Sequence, residues 1–242
     1  MARSDDVVDG IKQMILDGAL GAGDRLPAEK ELAASLGVSR GSLREGVRAL
    51  ATLGILDSRH GDGTYVTNLD PATLLAPMLF VADLPDESGA AHAVRRLIET
   101  EAAGLAALHI GDDDLACARA ALDETARALT ADPVDPERLA AADLAFHSTI
   151  ARASGNAVLT ALVAGLAGRS TQLRLWRELS RDGAADRTFV EHEEILAALA
   201  ARDPDRARLR MGMHLLRLED AFTGPRAADA SVAPTVDLGT GI

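Results

Sequence analysis

The chain begins with three short stretches in which apolar residues recur at helical spacing. The stretch Val7–Ile15 predicts a first helix from about Asp5 to Asp17. Pro27 is expected in the first turn of a second helix, because proline fits that position. Gly37 supplies the left-handed residue that ends this helix, and Ser39 is placed to cap a third one.

The pattern becomes strand-like after the third helix. The segments Ile55–Leu56 and Thr64–Thr67 predict two strands, and Arg59–Gly63 forms a turn between them. Two helices joined by a tight turn and followed by a β-hairpin are typical of a winged helix-turn-helix, which places one helix in a DNA major groove. Gly61 and Gly63 allow the hairpin backbone to approach the sugar-phosphate chain closely. The N-terminal segment is therefore predicted to bind double-stranded DNA.

The third helix carries basic residues at its N-terminal end. Arg40 and Arg44 lie one turn apart, where a recognition helix meets base edges. An arginine fork can make two hydrogen bonds to guanine, which is worth about 1–3 kcal/mol of discrimination. Ser39 and Ser42 can add phosphate or base contacts. These residues alone leave open an ordinary solvated basic helix face.

Beyond residue 70 the apolar pattern is helical throughout. A short linker helix is expected over Pro71–Val81, and polar breaks divide the remaining chain to about Phe222 into six helices. Short connections favour antiparallel neighbours, so the predicted fold is mainly α. The predicted domains are a winged helix-turn-helix over residues 1–68, a linker over 69–89, an all-α antiparallel bundle over 90–222 and a disordered tail over 223–242.

Composition narrows the class of protein. Apolar residues make up 48% of the chain but aromatic residues only 2%, which favours helices packed through aliphatic side chains. The net charge of −12 argues against a general nucleic-acid coat protein, although basic residues outnumber acidic ones between Arg25 and Arg59. No apolar run is long enough to cross a bilayer, and the single Cys117 fits a reducing cytoplasm. A cytoplasmic protein without a membrane partner is expected.

Four residues of the helical region have the composition of a metal site. Asp143 and His147 are four residues apart, so both face the same side of one helix. His192 and His214 come from later segments. One carboxylate and three imidazoles suit Zn²⁺, and also Ni²⁺ or Mn²⁺ with added water. Only the first pair is local in sequence, so spacing alone leaves open that the histidines are packed or surface residues.

The segment Arg25–Val66 resembles the DNA-binding domain of GntR-superfamily transcription regulators nearly residue by residue. It contains the LP-x-E motif, a helix ending in LGVSR, a following LRE and a G-x-G wing. Lys30 stands where arginine is common and lacks the arginine fork, and Asp62 places an acid in the wing tip. The resemblance implies DNA contacts by Lys30, Arg40, Ser42, Arg44, His60 and Gly61.

The region from about Ala90 to Phe222 resembles the FCD ligand-binding domain of the FadR subfamily of these regulators. The matching stretches are VRRLIETEAAGLAA, DLAFHSTIARASGN, EHEEILAALAARD and MHLL. In metal-dependent members, a metal ion is held at the positions that correspond to Asp143, His147, His192 and His214. Members that bind fatty acyl thioesters lack this set. The resemblance thus implies a divalent ion, zinc first, with nickel or manganese as alternatives.

Arg95 and Asn156 are the candidate effector-binding residues. Arg95 and Glu99 are four residues apart and form either a surface ion pair, worth about 0.3–0.5 kcal/mol, or, by the resemblance, a site where Arg95 clamps an effector carboxylate. Asn156 either caps a helix or faces the pocket.

The expected function is that of a ligand-responsive transcription regulator, a repressor that binds a palindromic operator as a homodimer. A small organic acid would enter the bundle, meet the metal ion and Arg95, and bias the separation of the two DNA-reading units. A regulator that senses the metal ion itself is one alternative. A metalloenzyme is a second, but no general base is evident and the DNA-reading segment would then have no role.

Overall fold

The computed structural model describes residues 4–79, 88–166, 176 and 184–223. The chain forms two compact units, Met1–Pro77 and Met78–Ile242. The polar break expected before Ser88 and the tail expected beyond Thr223 lie outside the described residues. Within the described helices, none combines the length and apolar character that a membrane crossing requires.

The first unit is a winged helix-turn-helix, as predicted. Strands β1 and β2 pair antiparallel, with Leu56 opposite Val66 and Arg59 opposite Gly63. The elements are α1 (Ser4–Leu16), α2 (Glu29–Ser35), α3 (Arg40–Thr52), β1 (Leu56–Arg59), β2 (Gly63–Val66) and α4 (Pro71–Leu79), which runs to the start of the second unit.

Local signals account for most of the helix ends in this unit. The Ser39 hydroxyl accepts a hydrogen bond from the Ser42 amide at 3.1 Å and caps α3, and Gly37 has the positive φ of 67° that stops α2. The prediction for Pro27 is wrong, because α2 begins at Glu29 and Pro27 lies before the helix. The Leu26 amide donates to the Thr64 carbonyl at 2.8 Å, which ties the chain to β2 just ahead of the proline.

The core of the first unit joins α1 and α3. Val7 and Ile11 pack with Leu43 and Leu50, all of them buried. The helices approach closely because Gly46 has no side chain; a Cβ there would lie 2.6 Å from the Cβ of Val7. The recognition helix is therefore held by its apolar face, which leaves its polar face outward.

The second unit is a helical bundle whose described part contains the six helices expected beyond the linker. Helix α5 packs along α10 and also contacts α7 and α8, while α6 packs against α7 and α9. The helices are α5 (Ser88–His109), α6 (Asp112–Leu129), α7 (Pro136–Ala153), α8 (Ala157–Leu166), α9 (Ala184–Ala200) and α10 (Pro204–Thr223).

Small and aliphatic residues fill most of the bundle core, together with Phe146 and Trp176. Polar side chains interrupt this apolar interior where α7, α9 and α10 face one another. Four of them, Asp143, His147, His192 and His214, are almost completely buried. Buried polar groups need partners, so this cluster is the first place to look for chemistry.

Candidate metal centre and DNA-reading surface

Three histidines from three helices converge on one point of the bundle core. One ligand atom from each of His147, His192 and His214 lies within 4.8 Å of those from the other two. The Nε2 atom of His192 is 3.3 Å from that of His147 and 3.2 Å from that of His214. The structure thus brings together residues that are up to 67 positions apart in sequence.

Asp143 adds a carboxylate to this cluster, one helical turn before His147 on α7. Its Oδ1 atom is 3.5 Å from Nε2 of His192 and 3.8 Å from Nε2 of His147. All four residues predicted as metal ligands therefore lie at the same place.

Carboxylates on the outer side of the cluster orient two of the histidine rings. Glu99 is hydrogen-bonded to Nδ1 of His147, and Oε2 of Glu191 lies 2.9 Å from Nδ1 of His214. An ionised carboxylate only accepts hydrogen bonds, so each Nδ1 carries the proton and each Nε2 presents its lone pair to the centre. The sequence did not reveal Glu191 in this role, because it lies 23 positions before His214 on another helix and is next to His192 in sequence.

Electrostatics keep this arrangement in the protonation state that a metal needs. Burial alone would raise the pKa of Glu99, but Arg95 and His147 outweigh it and lower that pKa to about 2. Burial lowers the pKa of His192 well below its usual range, and the neighbouring His214 and His147 add to the effect. Burial also lowers the pKa of His214, against the opposing hydrogen bond to Glu191. Neutral imidazoles are the form that binds a metal ion.

The donor set fits a divalent metal ion. A tetrahedral Zn²⁺ site with Zn–N distances of about 2.0–2.1 Å separates its ligand nitrogens by about 3.3–3.4 Å. The observed Nε2 separations of 3.2 and 3.3 Å match this spacing. With both outer Nδ1 atoms protonated, the Nε2 lone pairs of His147 and His214 both face Nε2 of His192, where a cation would be attracted by all three nitrogens.

Arg95 lies beside the predicted metal ligands and not on the surface. Its Nε donates to Glu99, and its Nη2 is 4.0 Å from Oδ2 of Asp143. The surface-ion-pair hypothesis is wrong, because the Arg95 and Glu99 side chains are only 1% and 2% exposed. Helix α5 turns this pair inward, where a charge without a counter-charge is costly. The clamp role of Arg95 stays a prediction.

Asn156 acts as a helix cap. Its side-chain oxygen accepts hydrogen bonds from the amides of Val158 at 3.0 Å and Leu159 at 3.1 Å, at the start of α8. This contact favours the capping interpretation over the pocket interpretation, because the oxygen is already bonded to the backbone and the side chain is exposed. Its contact with an effector stays a prediction.

The predicted DNA-contacting residues lie on three parts of the first unit. Lys30 is in the first turn of α2, and His60 and Gly61 are at the hairpin tip, all exposed. The N-terminal part of α3 carries the other four, Ser39, Arg40, Ser42 and Arg44. A cavity of about 770 Å³ is lined by α2, α3 and the hairpin, and Arg25 and Arg48 line it together with Arg44.

Glu29 is a functional candidate that sequence reasoning did not identify. Its Oε2 accepts a hydrogen bond from Nε of Arg44 at 3.1 Å, across the turn between α2 and α3. The Arg44 side chain is 73% exposed, so its two terminal amino groups point from this anchor toward solvent. Arginine can use its two terminal amino groups to donate one hydrogen bond each to O6 and N7 of guanine.

Comparisons with known proteins agree with both units. The family described as "Bacterial regulatory proteins, gntR family" matches residues 3–66, and the FCD domain family matches residues 90–217. The chain is 34% identical over 224 residues to the "Putative L-lactate dehydrogenase operon regulatory protein" of Escherichia coli (strain K12), covering 88% of this chain and 83% of that protein.

Two further proteins extend the comparison. The regulator LutR of Bacillus subtilis (strain 168) is 32% identical over 218 residues, with 87% of this chain and 97% of that protein covered. Among solved structures, a GntR protein of Streptococcus agalactiae is 27% identical with a TM-score of 0.63, covering 90% of this chain and 99% of that one. The chain therefore belongs to the GntR family of bacterial regulatory proteins with an FCD domain, and it is a DNA-binding transcription regulator and not an enzyme.

Proposed function

We propose that this protein is a repressor that binds a palindromic operator as a homodimer and responds to a small organic acid held beside a metal ion. The observation that carries the proposal is the buried cluster of three histidines and Asp143, in a bundle on the same chain as the DNA-reading unit. A relative from Salmonella newport, 28% identical over 224 residues, is named as the transcriptional repressor NanR, which supports repression as the direction of control.

Asp143, His147, His192 and His214 would hold the ion, and zinc suits three imidazoles and one carboxylate. With four protein ligands in place, the ion would act as a Lewis acid that takes an oxygen of the effector as an additional ligand. The chain's own residues keep this ligand set in place, because Glu99 and Glu191 fix the rings of His147 and His214.

The charges around the site favour an anionic effector. A divalent ion and Arg95 bring three positive charges into the core, whereas Asp143 and Glu99 bring two negative ones. Glu191 is neutralised by Arg217, whose Nε and Nη2 both donate to it at 2.6 Å. Among these described groups, the positive charges exceed the negative ones by one, and a carboxylate beside Arg95 would balance that charge.

The name of the E. coli relative points to the effectors to try first. That protein is named for an L-lactate dehydrogenase operon, and L-lactate is a small carboxylic acid that also offers a hydroxyl oxygen. We therefore choose L-lactate as the first probe, followed by other short hydroxy acids and dicarboxylic acids.

Homodimer formation is supported by apolar side chains exposed on two adjacent helices. Leu97 on α5 is 64% exposed, and Leu209 and Met213 on α10 are 60% and 56% exposed. Exposed apolar side chains grouped in this way are typical of a protein interface. The pairing of two copies through this face is tested by sedimentation of Leu97→Asp, which should be monomeric, with Val190→Asp on α9 as the control that remains a dimer.

The test of the proposed function combines effector binding with DNA binding. We would measure the melting temperature of the metal-loaded and the chelated protein with L-lactate, and the affinity for a duplex selected by the protein from random sequences. We expect the acid to raise the melting temperature only with metal present and to change operator affinity. If no carboxylic acid has these effects while the metal ion alone switches DNA binding, the protein is a metal sensor.

A further inference from the structure

Arg25 lies in a segment that runs alongside the wing. The amides of Gly23 and Leu26 donate to carbonyls of Val66 and Thr64 at 2.9 and 2.8 Å, and Arg25 is paired antiparallel with Tyr65. The segment before α2 is therefore attached to β2 through an isolated β-bridge. This attachment places the Arg25 side chain next to the hairpin tip, although 37 residues separate Arg25 from Asp62.

The Arg25 guanidinium occupies the space that a side chain at position 63 would need. Its Nη2 donates a hydrogen bond to the backbone carbonyl of Asp62. A Cβ on Gly63 would lie 2.5 Å from Nε of Arg25 and 3.2 Å from its Cζ. Glycine at position 63 thus makes room for an arginine of the same chain. Sequence reasoning assigned that room to the DNA backbone.

The hydrogen bond reaches the part of the wing that otherwise has few internal contacts. Within the tip, the Asp62 amide donates to the Arg59 carbonyl at 3.1 Å, and His60 and Gly61 are exposed. A charged donor makes a stronger hydrogen bond to a carbonyl than a neutral one does. Lysine has a single ammonium on a flexible stem and cannot fill the flat space over Gly63 as a guanidinium does.

We propose that Arg25 is a positioning residue that holds the wing tip in the conformation in which His60 and Gly61 meet DNA. This inference rests on the proposed contact between the wing and the operator. The competing role is a direct phosphate contact by Arg25, since this side chain also lines the cavity beside α3. The two roles differ in whether they require glycine at position 63. A phosphate contact by Arg25 does not depend on the space that Gly63 leaves for the guanidinium.

The experiment compares four variants of the full chain on the selected operator duplex, by affinity and by hydroxyl-radical footprinting. Arg25→Lys keeps the positive charge and removes the guanidinium group. Gly63→Ala keeps Arg25 but places a methyl group in the space that its guanidinium occupies. His60→Ala reports on the wing contact itself, and the Arg25→Lys/His60→Ala pair tests whether the two residues act together. Circular dichroism melting checks that each variant folds.

We expect Arg25→Lys and Gly63→Ala each to weaken operator binding about tenfold, as the loss of one charge-assisted hydrogen bond predicts. Both should lose protection where the wing lies and keep protection where α3 lies. The double variant should bind no more weakly than its weaker parent. Gly63 has a φ of 145°, which strains an alanine at this position. If Gly63→Ala does not fold, the Arg25→Lys/His60→Ala variant decides whether the two residues act together.

Three results would overturn the inference. If a folded Gly63→Ala binds as the wild type while Arg25→Lys is weakened, Arg25 contacts a phosphate directly and does not position the wing. If Arg25→Lys binds as the wild type while His60→Ala is weakened, the wing contacts DNA but Arg25 does not position it. If His60→Ala and Arg25→Lys both bind as the wild type with an unchanged footprint, the proposed wing contact itself is wrong.

Discussion

Replacing His192 by leucine should raise the stability of the metal-free second unit and abolish its response to metal. Leucine is apolar and of similar volume to histidine, so the core stays filled. The Nδ1 atom of His192 is buried and has no hydrogen-bond partner among the described residues. Its Nε2 atom faces two further ring nitrogens at 3.2 and 3.3 Å.

The size of both effects follows from these contacts. A buried polar atom without a hydrogen bond costs about 1–3 kcal/mol, which the leucine removes. At roughly 2–4 °C per kcal/mol, the metal-free variant should melt roughly 2–12 °C above the metal-free wild type. In the wild type, metal at 100 times its dissociation constant adds about 2.7 kcal/mol to the free energy of unfolding. The wild type should therefore gain roughly 5–11 °C, and the variant should gain almost nothing.

Tryptophan fluorescence reports the unfolding of the second unit separately from that of the first. Trp176 is the only tryptophan of the chain and is buried in the core of the second unit. His109→Leu is the matched control, because His109 is exposed on α5 and should leave the metal response intact. A His192→Leu protein that gains as much from metal as the wild type, or that melts well below it without metal, would refute this reasoning.

Three further predictions concern the other parts of the site and the fold. Glu29→Gln removes the anion that anchors Arg44, so the ratio of operator to random-DNA affinity should fall while random-DNA binding strengthens; an unchanged ratio in fluorescence anisotropy argues against anchoring. Glu191→Gln should weaken metal affinity about 10–100-fold in chelator competition, and wild-type affinity would show that this carboxylate does not tune the site. Gly46→Ala should cost about 1–3 kcal/mol in urea denaturation, because its Cβ meets Val7 at 2.6 Å. Gly41→Ala, with its nearest contact at 3.7 Å, should stabilise the same helix by about 0.5–1 kcal/mol, and equal effects of the two would contradict the packing argument.

Much of the first unit could be predicted from sequence because its signals are local. The cap at Ser39, the stop at Gly37 and the glycine-containing turn of the hairpin each depend on backbone conformation or on hydrogen bonds over three or four residues. The prediction for Pro27 failed where the constraint was not local, because the preceding Leu26 is bonded to Thr64 in β2. The contact between the Arg25 guanidinium and Gly63 could not be predicted either, because it also joins residues that are far apart in sequence.

By itself the sequence determined the helical period, the order of the elements and the one candidate ligand pair, Asp143 and His147, whose separation matches a helical turn. Only the tertiary structure decided that His192 and His214 complete that cluster, since side chains from different helices meet only after the helices pack. It also decided that the Arg95–Glu99 ion pair lies in the core, since a spacing of four residues is the same on a surface as in a core. Helical periodicity shows which residues share a face of a helix, but packing determines what that face meets.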